Sequence, residues 1–320
     1  MARPRVILVA YDGCQSLDVA GPAEVFAGAG RRRGRPVYDV VLVSTRGRPV
    51  ATAAGYRLTT RRLLALRPRR TDTVLVVGGE EPCVRAAVGD RALRRWLVDA
   101  APVVARLGSV CSGTFVLAAA GLLDGRRAAT HWSACARLAA FRPQVTVDRD
   151  AIFVEDGRLW TSAGVTTGID MALAMVEADH GRALADAIAA QLVLYTRRPG
   201  FQSQWSAALV AQVGADEGLT EAIRWARGHL GELDVPTLAR KAGLSVRSLH
   251  RRCGEQLATT PAKLIEQLRV EHARGLLAGG RLPAKVVAAR CGFGEAARMT
   301  RAFRRALGVG PRDYRLLFAA

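Results

Sequence analysis

Four short stretches in the first 110 residues are apolar almost without interruption: VILVAY (6–11), VVLVS (40–44), TVLVV (73–77) and PVVARLGSV (102–110). A strand with one wet face alternates apolar and polar residues, whereas a strand covered on both faces has no need to. Uninterrupted runs therefore predict a parallel sheet sandwiched between helices. LDVAGPAEVFAGA (17–29) and ALRRWLVDA (92–100) read as two of those helices, and the resulting βαβ rhythm predicts an open α/β sandwich. Further on, IFVEDGRLWTSAG (152–164) reads as a hairpin and GIDMALAMVEADHG (168–181) as an amphipathic helix.

The grammar changes near residue 200. In TRRPGFQSQWSAALVAQVGADEG (196–218), Pro199, Gly200, Gly214 and Gly218 break the periodicity and predict a linker. From Leu219 onward no strand-like run remains. The chain thus reads as an α/β domain over 1–196, a linker over 197–218 and an all-α domain over 219–320, in line with about 150 residues per domain.

With 47 basic and 28 acidic side chains the net charge is +19, which asks for an anionic partner. Half of the residues are hydrophobic, so a disordered basic tail is excluded. Only Lys241, Lys263 and Lys285 are lysines, but arginine-rich coding in a GC-rich genome gives the same preference as phosphate binding. The distribution says more. Residues 216–320 are about twice as dense in excess positive charge as the rest. The six cysteines form no CxxC pair and the five histidines stand at no metal-ligand spacing, so neither a disulfide framework nor a metal site is expected, and no cofactor is implied. The N-terminus runs straight into a strand-like stretch without a signal-peptide cleavage site, and the longest apolar run, Phe115 to Leu123, is too short to span a bilayer. A cytoplasmic protein with no membrane partner is expected.

In the second half, DVPTLARKAGLSVRSLHRRCGEQLATTP (234–261) reads as a helix over 236–242, a turn at Gly243, and a helix N-capped by Ser245. Val235, Leu238, Ala239, Leu244 and Leu249 fall on the inner face, leaving Arg247, His250 and Arg251 outside. This is a helix-turn-helix pattern with a basic recognition helix. After a long amphipathic helix over 264–277 comes a second copy, LPAKVVAARCGFGEAARMTRAFRRALGVGPRDYR (282–315). Pro283 opens it, Gly292 and Gly294 sit in its turn, and Arg298, Arg301, Arg304 and Arg305 line the next helix. One such pair is equally a helical bundle with a solvated arginine face; two in tandem favour DNA.

The segment AARCGFGEAARMTRAFRRALGVGPRDYR resembles the AraC/XylS-type regulators, in its C-G-F, R-x-F-[RK]-[RK] and G-x-x-P-x-x-Y-R hallmarks, and LARKAGLSVRSLHRR resembles their first helix-turn-helix. The resemblance covers about 100 residues. It implies double-stranded DNA as partner, a homodimer, and base-reading positions at Arg247, Ser248, His250 and Arg251, then at Glu295, Ala296, Ala297 and Arg301. Arginine fits guanine O6/N7, and the two alanines offer only contact with a thymine methyl. The second helix would then work chiefly through phosphate contacts from Arg298, Arg304 and Arg305. Cys253 stands where the family usually has an aromatic core residue. It and Cys291 read as core thiols.

In the first half, SVCSG (109–113) joins an expected strand to an expected helix. Small residues around a strained turn are what a nucleophile elbow needs, and a thiol there would meet the helix N-terminus, which favours a thiolate. A buried structural cysteine explains five residues equally well. The surroundings, VCSGTFVLAAAGLLDGRRAATHW, LWTSAGVTTGIDMALAMVEADHG and YDGCQSLDVAGPAEVF, resemble the PfpI-like branch of the glutamine-amidotransferase-like superfamily, isonitrile hydratases and GlxA-type regulators. That resemblance spans most of 5–195 and implies a flavodoxin-like sandwich. It puts Cys111 at the nucleophile position and Asp18 beside it as an acid that stays protonated and donates to the thiolate. It also puts Gly79 and the Ser112 backbone at an oxyanion position, and His131 near the pocket. PfpI-type proteases carry histidine where this chain has Ser112, and a proline where it has Val77, so their dyad is absent. Three readings stand: a sensor domain binding a small-molecule effector without turnover, a domain retaining cysteine-dependent hydratase or hydrolase chemistry, and a domain that only dimerises.

Overall fold

Along the first strand the side chains part alternately: Val6 and Leu8 enter one apolar cluster, and Ile7 and Val9 enter another on the opposite face. That strand, β1 (Arg5–Val9), is buried at every position, and so is β6 (Thr73–Val76). The computed structural model describes residues 3–194, 197–198, 200, 204, 217–257, 259–278, 282–307 and 309–318. It divides into two units, residues 1–204 and 205–320. The division falls inside the stretch expected as a linker; of that stretch, residues 199, 201–203 and 205–216 lie outside the described residues.

In the first unit, β1 pairs in parallel with β2 (Asp39–Ser44) on one side and with β6 on the other. The pairs β3 (Val50–Ala51) with β4 (Arg57–Leu58), and β8 (Arg127–Ala128) with β9 (Thr146–Val147), form separate two-stranded pieces. The main sheet adds β5 (Arg61–Arg62), β7 (Arg106–Val110), β10 (Phe153–Asp156) and β11 (Leu159–Ser162), in the order β10-β11-β7-β6-β1-β2-β5. Only β10 runs antiparallel to its neighbour, as the expected hairpin with β11. The stretch expected as a strand over 102–110 begins only at Arg106. Residues 101–104 continue the winding of the preceding helix, with the Val103 and Val104 N–H groups donating to the Ala100 carbonyl.

One face is covered by α1 (Ser16–Arg33), α6 (Thr167–His180) and α7 (Arg182–Gln191). The other carries α2 (Glu81–Gly89), α3 (Arg91–Ala100), α4 (Thr114–Ala119) and α5 (Cys135–Phe141). On α3 the stripe Leu93, Trp96, Leu97 and Ala100 is buried at helical spacing, each large member contributing about 1.5–3 kcal/mol. Asp90 caps that helix by accepting from the Ala92 and Leu93 N–H groups. Helix α1 carries Pro22 inside it, so no N–H is available there for the Asp18 carbonyl. The chain leaves β1 toward β2 on one side and returns toward β6 on the other. Between them, the carboxyl ends of β1, β6 and β7 mark the crevice position where sheets of this kind place ligands.

The second unit is helical: α8 (Glu217–Gly228), α9 (Val235–Lys241), α10 (Val246–Leu257), α11 (Pro261–Ala278), α12 (Ala284–Arg290), α13 (Ala296–Leu307) and α14 (Pro311–Phe318). Asp234 caps α9 through the Thr237 N–H, and Ser245 caps α10 through the Ser248 N–H at 3.1 Å. Leu238, Ala239, Leu249 and Cys253 close the core of the first helix pair; Val287, Ala288, Cys291, Met299 and Phe303 close that of the second. The turn between α12 and α13 needs Gly292. Its φ is +74°, and a Cβ there would lie 2.0 Å from the Leu230 carbonyl oxygen. The neighbouring Arg269 guanidinium donates to the Leu230 and Leu233 carbonyls, tying α11 to the chain end of α8. No helix among the described residues is long and apolar enough to cross a membrane.

Candidate DNA-reading surface and cysteine pocket

The outer face of α10 carries Arg247, His250 and Arg251, all exposed, with Ser248 half-buried beside them. Ser248 belongs as much to the cap as to the surface: its hydroxyl accepts from Ser245 at 2.9 Å. Arg251 lies 3.7 Å from Glu255 one turn on, an exposed pair too loose to hold it. On the second motif, Glu295, Ala297, Arg298, Arg301 and Arg304 are exposed and Ala296 is half-buried. Arg305, expected as a phosphate contact, is exposed as well and has a carboxylate beside it. Its guanidinium donates to both carboxylate oxygens of Glu266 on α11, at 2.6 and 3.4 Å, so it serves to hold α13 against α11. A cleft of about 220 Å³ lies at that junction, lined in part by Glu266, Arg298, Arg301 and Arg305.

In the first unit, Cys111 ends β7 with φ +57°, a left-handed conformation that a non-glycine residue adopts only under constraint. This is the strained strand-to-helix turn of an elbow. Asp18, fully buried at the start of α1, accepts from the Gly78 N–H at 3.1 Å and from the Val165 N–H at 2.7 Å, and it lies beside Cys111. Val165 is itself left-handed, φ +52°, which is rarer still for a β-branched side chain. A Cβ on Gly78 would stand 2.6 Å from the Cys111 Cβ and 2.8 Å from an Asp18 oxygen, so the two side chains meet over that glycine.

Burial pushes the Cys111 thiol up to about 12, with the negative charge of Asp18 adding to it. Burial also raises Asp18 to about 6, against the opposing pull of its two N–H donors. At neutral pH the proton therefore sits on sulfur and the charge on the carboxylate. The expected arrangement is a protonated acid donating to a thiolate, and burial of the sulfur works against the thiolate half of it. The physical reason is twofold: α4 has only six residues to offer a dipole, and a buried anion beside Asp18 is costly. Iodoacetamide should accordingly modify Cys111 at a rate that climbs with pH through 10–12, with no inflection near 8. Asp18→Asn, by removing the neighbouring negative charge, should move that rise to lower pH. Peptide-resolved mass spectrometry reads both, and a wild-type inflection below pH 9 would overturn the assignment of charges.

The expected oxyanion donors are placed differently from one another. The Ser112 N–H faces the Cys111 sulfur, whereas the Gly79 N–H is engaged by the Ser112 hydroxyl at 3.1 Å, which in turn donates to the Gly79 carbonyl. His131 is half-buried and directly follows Thr130. Its Nδ1 pairs with the Ser133 hydroxyl at 2.8 Å, its ring lies 5.3 Å from Trp132, and burial lowers its pKa. The group that reaches Cys111 is the preceding residue: the Thr130 hydroxyl donates to the Cys111 carbonyl at 2.9 Å, joined there by Thr114 at 3.0 Å. Thr130, Val165 and Tyr11, whose hydroxyl donates to the Val77 carbonyl at 2.9 Å, are pocket residues that sequence reasoning did not single out. The AATHW and SAGVTTG segments held two of them in plain view.

The DJ-1/PfpI family model matches residues 4–178, and a helix-turn-helix domain model matches residues 238–316. The HTH-type transcriptional regulator GbdR of Pseudomonas aeruginosa is 30% identical over 311 residues, covering 95% of this chain and 82% of its own length. An isonitrile hydratase of Pseudomonas putida is 33% identical over 196 residues, 59% of this chain and 77% of the hydratase. Among solved structures, a ThiJ/PfpI family protein from Pseudomonas syringae superposes with a TM-score of 0.57 at 25% identity, over 76% of this chain and 92% of that one.

Proposed function

Starting from the fact that the chain belongs to the DJ-1/PfpI family and is an HTH-type, DNA-binding transcriptional regulator, we propose that its first unit senses a small-molecule effector at the Cys111–Asp18 crevice without turning it over. The observation that carries this is the half-buried Cys111 set against the fully buried Asp18 in the α/β unit of a DNA reader. A sensor that consumed its ligand would erase its own signal. Asp18, Gly79, Cys111, Ser112 and His131 are the proposed ligand-binding set, now with Thr130 and Val165. The protein is taken to act in the cytoplasm as a homodimer on double-stranded DNA. Arg247, Ser248, His250, Arg251 and Arg301 are the proposed readers with Glu295, Ala296 and Ala297, and Arg298 and Arg304 hold phosphates. Each protomer would read two major-groove segments about one turn, roughly 10 bp, apart.

Selection of bound duplexes from a random pool tests the reader. A defined consensus is expected, with affinity falling steeply with salt as arginines displace counterions. Equal affinity for all duplexes at moderate salt would sink sequence-specific recognition. Neighbouring genes of the selected sites would then supply effectors to assay by thermal shift against wild type and Cys111→Ser.

One observation favours a second reading, retained hydratase-type chemistry: the left-handed Cys111 has the backbone geometry of a working elbow, and an isonitrile hydratase is among the relatives. Product formation from a small isonitrile, lost in Cys111→Ser, would establish it in place of pure sensing.

A further inference from the structure

Beyond α7, Arg198 and Gln204 are each anchored to residues that adjoin the Cys111–Asp18 site. Arg198 donates its backbone N–H to one oxygen of Asp170 at 2.9 Å and its Nε and Nη2 to the other, at 2.9 and 2.6 Å. The same Nη2 reaches the Thr166 hydroxyl at 2.9 Å. Thr166 directly follows Val165, the left-handed residue whose N–H holds Asp18. The Gln204 side-chain amide donates to the Thr130 and Ala151 carbonyls, both at 3.0 Å, and its backbone N–H donates to the Asp150 carbonyl. Thr130 is the residue whose hydroxyl holds the Cys111 carbonyl. Between the two anchors, the Gly200 carbonyl accepts from the Phe153 N–H on the edge strand β10. The first unit ends at Gln204.

Two features make this more than a tidy chain end. Asp170 is a buried carboxylate on the first turn of α6, and its described partner is a side chain from the departing segment. Val165 and Cys111 both sit in a left-handed conformation, each on the order of 1–3 kcal/mol uphill, which persists only while the surroundings hold it. For Val165 those surroundings are Asp18 on one side and the Arg198-bound Thr166–Asp170 turn on the other.

We propose that the anchored residues Arg198, Gly200 and Gln204 act as a strap that reports the state of the Cys111–Asp18 crevice to the helical unit. A group that competes for Asp18 releases the Val165 N–H and lets its strained backbone relax, and the Thr166–Asp170 turn then no longer presents its oxygens to Arg198. The inference rests on the reading of the crevice as the effector site, but the coupling is a property of the ligand-free chain, and its test needs no effector.

The experiment uses the full chain and Asp18→Asn, which leaves at most one strong acceptor for two N–H donors, as the stand-in for a competing group. Hydrogen exchange of the Arg198 and Gln204 amides, read in a peptide covering 197–204, should speed up at least tenfold in Asp18→Asn, although Asp18 bonds to neither residue. Arg198→Ala should do the same, with Arg198→Lys intermediate. On the selected duplex, Asp18→Asn and Arg198→Ala should change affinity in the same direction, and the double variant should do no more than the larger single one, since both act through one element. Unaltered strap exchange in Asp18→Asn, or effects on DNA affinity that multiply, overturns the proposal. Should either variant fail to fold, Thr166→Val, which deletes only the hydroxyl bonded to Arg198, replaces it with the same expected direction and the same overturning result. Failure of every effector candidate would instead strike the sensor reading and leave the measured coupling standing.

Discussion

Alanine at Arg247, His250 and Arg251 together is expected to remove most of the discrimination between the selected duplex and a scrambled one, while leaving weak, salt-sensitive binding. A base-reading arginine contributes about 1–3 kcal/mol, so losing two, with a histidine between them, should weaken specific binding by roughly 10²–10⁴-fold. All three side chains are exposed on α10, so unfolding should be unchanged, which separates lost recognition from lost structure. The opposite signature is expected from Arg298 and Arg304 on α13. Their removal should weaken binding to all duplexes and flatten the salt slope by about one for each phosphate no longer neutralised. Arg305→Ala should affect DNA far less, because its guanidinium is already engaged by Glu266. Fluorescence anisotropy against both duplexes over a salt series reads all of these. Retained discrimination in the α10 triple variant would move the reader elsewhere.

That contrast shows what a single sequence can carry. Outward positions of α10 and α13 follow from helical periodicity alone, because buried Leu249, Cys253, Met299 and Phe303 mark the inner face. Whether an outward arginine is available does not follow, since Arg305's partner lies 39 residues away on another helix. The sheet is legible for the same reason as the helices: β1 and β6 are covered on both faces, and their apolar runs show it. Two-residue pairs such as β3 with β4 leave no run to see. In the crevice, the elbow at Cys111 was legible from its small neighbours, but its charge state was not, because that is set by burial and by a carboxylate 93 positions earlier in the chain. The break in pattern near residue 200 reads as a linker. It gave no sign that Arg198 and Gln204 are anchored, since their partners Asp170, Thr130 and Ala151 belong to other segments.

Gly164→Ala is expected to be the most damaging single substitution at the crevice. Gly164 has φ +100°, and a Cβ there would stand 2.2 Å from the Cys111 Cβ and 2.7 Å from its Cα and its sulfur. Neither side can yield cheaply, because Cys111 is held at φ +57° with its carbonyl bound by Thr130 and Thr114. Gly157 supplies the comparison: it is also left-handed, at φ +62° in the β10–β11 turn, but a Cβ there meets nothing within 4 Å. Gly157→Ala should therefore cost only the conformational penalty, about 1–2 kcal/mol. Gly164→Ala adds an approach that real Cβ atoms do not make, and should exceed about 3 kcal/mol, toward the large end for single substitutions. Denaturant unfolding of the two variants side by side measures the difference, and equal stabilities would refute the packing at the crevice. Cys111→Gly in the Gly164→Ala chain removes the Cβ and sulfur and relaxes the left-handed backbone, so it should restore part of the loss. A substitution at the candidate nucleophile would then stabilise the protein, as expected where the clash is local to that one side chain.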